Sequence, residues 1–165
     1  MAKSFGVKKK TVHLSTSFLF EGLRKSYNEE LALFKKHHKN RMNKWIHFIT
    51  VPIEWFSSFL IISLLVPFTW FWTIVILVYA YLCMLGSKKK FLVGAIHMLI
   101  ACLSIWYKSN NTLFRSIIVA IVGQLFAWIT QIGIGHMLIE KNSPSMTKRF
   151  TLNSIVVSLL LIADN

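Results

Sequence analysis

Four long apolar runs dominate the sequence, and their lengths leave few folds open. They cover about residues 45–66, 68–85, 91–107 and 113–139. A helix rises about 1.5 Å per residue and needs roughly 17–25 apolar residues to cross a bilayer, which each run supplies. Inside hydrocarbon every backbone N–H and C=O needs an internal partner, so such runs fold as helices. Pro67 is all that separates the first two, which predicts a tight helical hairpin. The 91–107 run is the shortest of the four. A fifth run, 150–163, is short for a span and reads as an interfacial or re-entrant segment. With 55% hydrophobic and 15% charged residues, the chain is too apolar for an ordinary soluble domain and for a disordered one. The expected fold is therefore an all-α membrane protein, a bundle of about four transmembrane helices in a single domain.

Ahead of the first span, residues 1–16 form a basic tail with no apolar core and no small-residue cleavage site, so no signal peptide is expected. Residues 17–44 follow as an amphipathic helix and a polar loop. Phe20, Leu23, Tyr27, Leu31, Phe34 and His38 recur at three- and four-residue steps, which predicts a helix on the membrane surface or against the bundle. Residues 45–140 make the transmembrane core, and 141–165 a C-terminal segment holding a short apolar helix. Charge gives the orientation. Eleven of the 19 Lys and Arg residues lie between Lys3 and Lys44, and Lys88, Lys89, Lys90, Lys141, Lys148 and Arg149 fall on the same side. The opposite loops hold only Lys108 and Arg115. Basic loops stay inside, so both termini are expected in the cytoplasm. A formal charge of +13 is accounted for by anionic lipid head groups, without nucleic acid. Cys83 and Cys102 sit in apolar runs with no metal-ligand spacing.

Ionisable residues inside the spans carry the functional information, because burying them unpaired is costly. They are His47, Glu54, His97, His136 and Glu140. Counted from the nearest lysine, His47, His97 and His136 lie within roughly 5–10 Å of the basic side, on three different helices. His37 and His38 close the amphipathic helix on that side, so five of the six histidines fall in one shallow layer. Neutral imidazole suits Fe, Zn and Cu, which makes the layer a candidate metal site. Read singly, each histidine is equally a hydrogen-bonded packing residue. Asn43 and His47 are four residues apart on one helix face, as are His136 and Glu140. Glu140 either ligates the metal or orients His136. Glu54 reads first as a packing residue, with substrate binding as the alternative. Gly133 and Gly135 read as small-residue contacts that let a neighbouring helix approach. The signatures of serine hydrolases, zinc proteases and membrane desaturases are missing.

Two segments, HHKNRMNKWIHFITVP at 37–52 and WITQIGIGHMLIEKNSPS at 128–145, resemble the 2-hydroxy fatty acid dioxygenase family. That family comprises the fungal enzyme of phytosphingosine alpha-oxidation and small bacterial membrane relatives. Its pattern falls here on His38, Asn43, His47 and Pro52, and on Gly135, His136, Glu140 and Pro144. Ser145 stands where the family usually has Ala. The resemblance implies an Fe(II)-dependent integral membrane enzyme, of a bacterial inner membrane or the endoplasmic reticulum, that uses dioxygen to shorten a 2-hydroxy fatty acid by one carbon. It also implies a ligand set of His38, His47 and His136, with Glu140 as a fourth ligand or orienting group. His37 and His97 are further candidates, and Asn43 would position His47 or the substrate. Arg41, Lys44 or Lys141 would steer the substrate carboxylate. The alternatives are a non-catalytic membrane scaffold or lipid-binding bundle, and another metal-dependent lipid enzyme such as a hydroxylase.

Overall fold

Asn40 begins the longest uninterrupted α-helix. Its side-chain oxygen accepts the Met42 N–H at 2.8 Å, closing one of the orphan donors of a helix start. The computed structural model describes residues 16–85, 87–141 and 158–164. Within them α1 spans Thr16–His37, α2 Arg41–Leu65, α3 Phe68–Met84, α4 Lys90–Ser109 and α5 Leu113–Trp128. The last of these continues without a break into a wide-turned π-helix, π1, over Ile129–Glu140, and α6 covers Ser158–Asp164. No strand occurs among the described residues, and the fold is an all-α bundle as expected. The N-terminal basic tail, Pro144 of the second sequence block and most of the 150–163 run lie outside the described residues.

Arg41–Leu65, Lys90–Ser109 and Leu113–Glu140 are each long and apolar enough to cross a membrane, while Phe68–Met84 is a shorter apolar helix of 17 residues. The shortest member is thus α3, where the sequence pointed to the third run. Helix α4 gains length by taking in Lys90 at one end and Lys108 and Ser109 at the other. Polar ends hide from a hydropathy count while still continuing the backbone ladder. Val66 and Pro67 link α2 to α3 in extended conformations, a connection as short as Pro67 implied, but α3 packs chiefly on α4 rather than folding tightly back on α2. Helix α2 continues through Pro52 without a break. Membrane helices tolerate proline because neighbouring groups can satisfy what it leaves unpaired.

Helix α2 is the central element, packed by α4, α5 and π1, with α3 against α4. Close approach depends on small residues. A Cβ at Gly123 would strike the Ser57 hydroxyl, and one at Gly94 would lie 2.5 Å from the Tyr79 ring. The core holds Phe59, Phe71, Val75, Leu82 and Val93, whereas Phe114, Leu125 and Leu138 face outward, as lipid-facing residues do. Tyr27, Leu31 and Phe34 of α1 pack on this core together with Leu161 of α6, so α1 lies against the bundle. Helix α6 is tied at both ends. Trp55 Nε1 donates to Ser158 Oγ at 3.0 Å, and the Tyr27 hydroxyl donates to Asp164 Oδ2 at 2.7 Å. Burial and the Asp164 carboxylate push the Tyr27 hydroxyl well above its ordinary pKa. The antiparallel order puts Arg41, Lys44, Lys88, Lys89, Lys90 and Lys141 at one end of the bundle. Lys108, whose ammonium meets the Ser63 carbonyl, and Arg115 lie at the other.

Candidate metal centre

Three elements converge at the basic end. Helix α1 stops at His37 and leaves His38 in a short loop; α2 presents His47 two turns in; π1 presents His136 just before its end. All three imidazoles are buried, at 3%, 6% and 3% exposure. Nε2 of His38 lies 2.9 Å from Nε2 of His47, and one ring nitrogen from each of His38, His47 and His136 falls within 4.8 Å of the others. The His136 ring centroid is 4.7 Å from that of His38 and 5.3 Å from that of His47.

Phe34 fixes His38 twice. Its carbonyl, one turn back, accepts from His38 Nδ1 at 2.8 Å. A carbonyl only accepts, so Nδ1 carries the proton and the neutral ring keeps a lone pair on Nε2, facing His47. The Phe34 ring stacks on the same imidazole at 3.7 Å and 12°, and meets His47 edge-on at 6.0 Å. Burial pushes the His38 pKa down to about 4, overcoming the opposing pull of the Phe34 carbonyl, so the ring is neutral at pH 7.

The chemistry of this donor set fits a transition-metal ion. Neutral imidazoles bind such ions at about 2.0–2.1 Å, and two of them at right angles on one ion stand about 2.9 Å apart. His136 Nδ1 is buried without a hydrogen-bond partner. An orphaned polar atom in a desolvated site needs a reason, and a ligand supplies one. His38, His47 and His136 can therefore hold a metal ion.

The other sequence candidates are distributed around this cluster. Glu140 Oε1 accepts from the Asn40 backbone N–H at 2.7 Å and from Asn43 Nδ2 at 3.3 Å. Its carboxylate thus ties the end of π1 to the start of α2. Asn43 is fully buried, with its Oδ1 turned to Gly135, where any Cβ would collide with it. His37 is buried beside the cluster. His97 does not join it: Nδ1 donates to the Val93 carbonyl at 2.9 Å, and the ring packs edge-on against Trp55 at 4.6 Å. Trp55 stands about two turns beyond His47 on α2, so His97 occupies a deeper level. Glu54 accepts from Trp128 Nε1 and from Gln131 Nε2, each at 3.1 Å, and pins the start of π1 to α2. The sequence reading passed over Asn40, Gln131 and Phe34 as parts of this framework. Asn40, just ahead of a long apolar helix, was legible as a cap, and Phe34 as the residue one turn before His38.

An all-α membrane bundle with a buried histidine triad able to hold a metal defines the class of protein. Residues 24–91 match the family model described as 2-hydroxy-palmitic acid dioxygenase Mpo1-like, which supports the resemblance drawn from the two sequence blocks. The matched stretch contains His38, Asn43 and His47 and ends before His136. Comparison with curated proteins and with solved structures gives no match.

Proposed function

We propose that this chain is an iron-dependent dioxygenase that shortens 2-hydroxy fatty acids by one carbon, with His38, His47 and His136 as the iron ligands. The observation that carries the reading is the convergence of those three imidazoles within 4.8 Å, in a chain whose residues 24–91 match a dioxygenase family. The reaction balances with dioxygen as sole oxidant. R–CHOH–COOH and O2 give R–COOH, CO2 and H2O, the bond between the carboxyl and hydroxyl carbons being broken. Bound iron would supply open positions at which the hydroxyl and carboxylate of the substrate and dioxygen are brought together.

The protein's own residues do the rest. Phe34 holds His38 in the tautomer whose free nitrogen faces His47. Glu140 and Asn43 keep π1 locked to the first turns of α2, and so keep His136 opposite His47. Burial excludes water from the cluster and leaves the His38 imidazole neutral, as metal ligation requires. The centre lies near the basic end, where the carboxylate of a membrane-dissolved fatty acid sits with its tail in the bilayer.

The test is anaerobic loading of the purified chain with Fe(II), addition of oxygen and 2-hydroxypalmitate, and mass spectrometry of the acids formed. A C15 acid formed in proportion to iron supports the proposal. A C16 product bearing an added hydroxyl identifies a hydroxylase instead. No bound iron and no product, with His47→Ala and His136→Ala behaving as wild type, identifies a scaffold.

A further inference from the structure

A cavity of about 220 Å³ opens beside the histidine cluster, lined by Phe34, Arg41, Lys44, Trp45, Phe48 and Ile162. Its composition is divided along α2. Arg41 and Lys44 stand in the first turn, while Trp45 and Phe48 follow in the second, toward the apolar interior. Trp45 and Phe48 are exposed and meet edge-on at 5.5 Å, an apolar wall on the side where lipid would lie. Ile162 of α6 and Phe34 of α1 close the other sides. Phe34 has a double position, since the ring that lines the cavity is the one stacked on His38. The cavity and the imidazoles are therefore neighbours divided by a single aromatic side chain.

A cation pair above an apolar slot matches an amphiphile with an anionic head and one chain. Arg and Lys at the mouth pair with the head, and the aromatic wall continues the bilayer for the tail. We propose that this cavity is the docking chamber that first captures the carboxylate of the fatty acid, holding it on Arg41 and Lys44 one ring away from the histidines before the head group passes Phe34 to reach them. The identification of that acid as the substrate rests on the dioxygenase reading; the carboxylate site itself does not. A single-chain carboxylate is favoured over a phospholipid because the space is small.

The experiment uses metal-free full-length chain in detergent micelles, with 9,10-dibromostearate as the probe. Bromine quenches nearby tryptophan, and the signal of interest is the difference between the wild type and Trp45→Phe. Saturable quenching is expected, displaced by palmitate but not by hexadecanol. The double variant Arg41→Gln/Lys44→Gln should raise the half-saturation concentration about tenfold or more, as loss of charge-assisted contacts predicts. Its iron content after loading should match wild type, which shows that the bundle is intact. Quenching that never saturates, an unshifted half-saturation in the double variant, or equal displacement by hexadecanol or by phosphatidic acid would overturn the inference. Saturable, charge-dependent binding with no C15 product would leave the chamber standing and remove the dioxygenase reading. C15 formation with an unshifted double variant would do the reverse.

Discussion

Removing an imidazole from water disfavours its charged form, and at His38 the effect lowers the pKa from 6.5 to about 4. In the unfolded chain the same ring takes up a proton near pH 6.5. The unfolded state therefore binds more protons between those values, and folding stability falls as pH falls through that window. The metal-free protein should lose stability progressively from about pH 6.5 to about 4. His38→Gln should make that part of a denaturation-midpoint-against-pH curve less steep. A midpoint unchanged across the window would contradict the buried, neutral ring. Glu140 sits one step out from the three histidines. Replacing the carboxylate that ties π1 to α2 should weaken iron binding about 10–100-fold, the usual cost of losing a group that orients ligands. Glu140→Gln keeps an oxygen to accept the Asn40 N–H, so it should retain more iron affinity than Glu140→Ala in a competitive chelator titration. Much at this scale was legible beforehand, because histidines stand out in an apolar background and His38, His47 and His136 could be placed on one side by counting from basic residues. That counting failed for His97. It treats all spans as starting level, and α4 meets α2 at Trp55 rather than at His47.

The element with no trace in the sequence is π1. A run that is apolar all round has no hydrophobic stripe, so its period cannot be read, and a wide turn looks the same as an ordinary one. Twelve residues of π-helix are unusual, such turns appearing mostly as single-turn bulges and frequently at functional sites. Here the wide turns end at His136 and Glu140, and the helix closes on Lys141, a non-glycine residue in the left-handed region at φ 52°. Two glycines in this stretch separate packing from propensity. A Cβ at Gly133 meets nothing within 4 Å, while one at Gly135 would collide with the Asn43 oxygen. Gly133→Ala should be neutral or stabilising by up to about 1 kcal/mol, the normal gain for glycine to alanine in a helix. Gly135→Ala should push π1 away from α2 and lower iron occupancy several-fold. Thermal unfolding and iron content measured on the pair would check both, and equal iron content would show that the approach of π1 to α2 does not hold the centre together.

For the whole molecule, the charge distribution and the placement of the centre make one joint statement. The spans were legible because about 20 apolar residues are needed to cross a bilayer and little else requires them. The packing of α6 was not, since a seven-residue helix is specified by partners distant in sequence, Tyr27 and Trp55. The same end of the bundle carries Arg41, Lys44, Lys88, Lys89, Lys90 and Lys141 and encloses the histidine triad. Cationic loops resist translocation, so that end should face the cytoplasm, with Lys108 and Arg115 on the far side. A reporter fused after Asn165 should then be active only if it works in the cytoplasm, and cysteines placed at Ser109 or Asn110 should be labelled by an impermeant reagent added outside intact cells. The two measurements are independent, one reading the basic end and the other the loop between α4 and α5. A reporter active only outside, together with protected residues at 109 and 110, would invert the molecule. The histidine triad and the Arg41–Lys44 cavity would then open to the outer leaflet, and a substrate made in the cytoplasm would have to cross the membrane before reaching them.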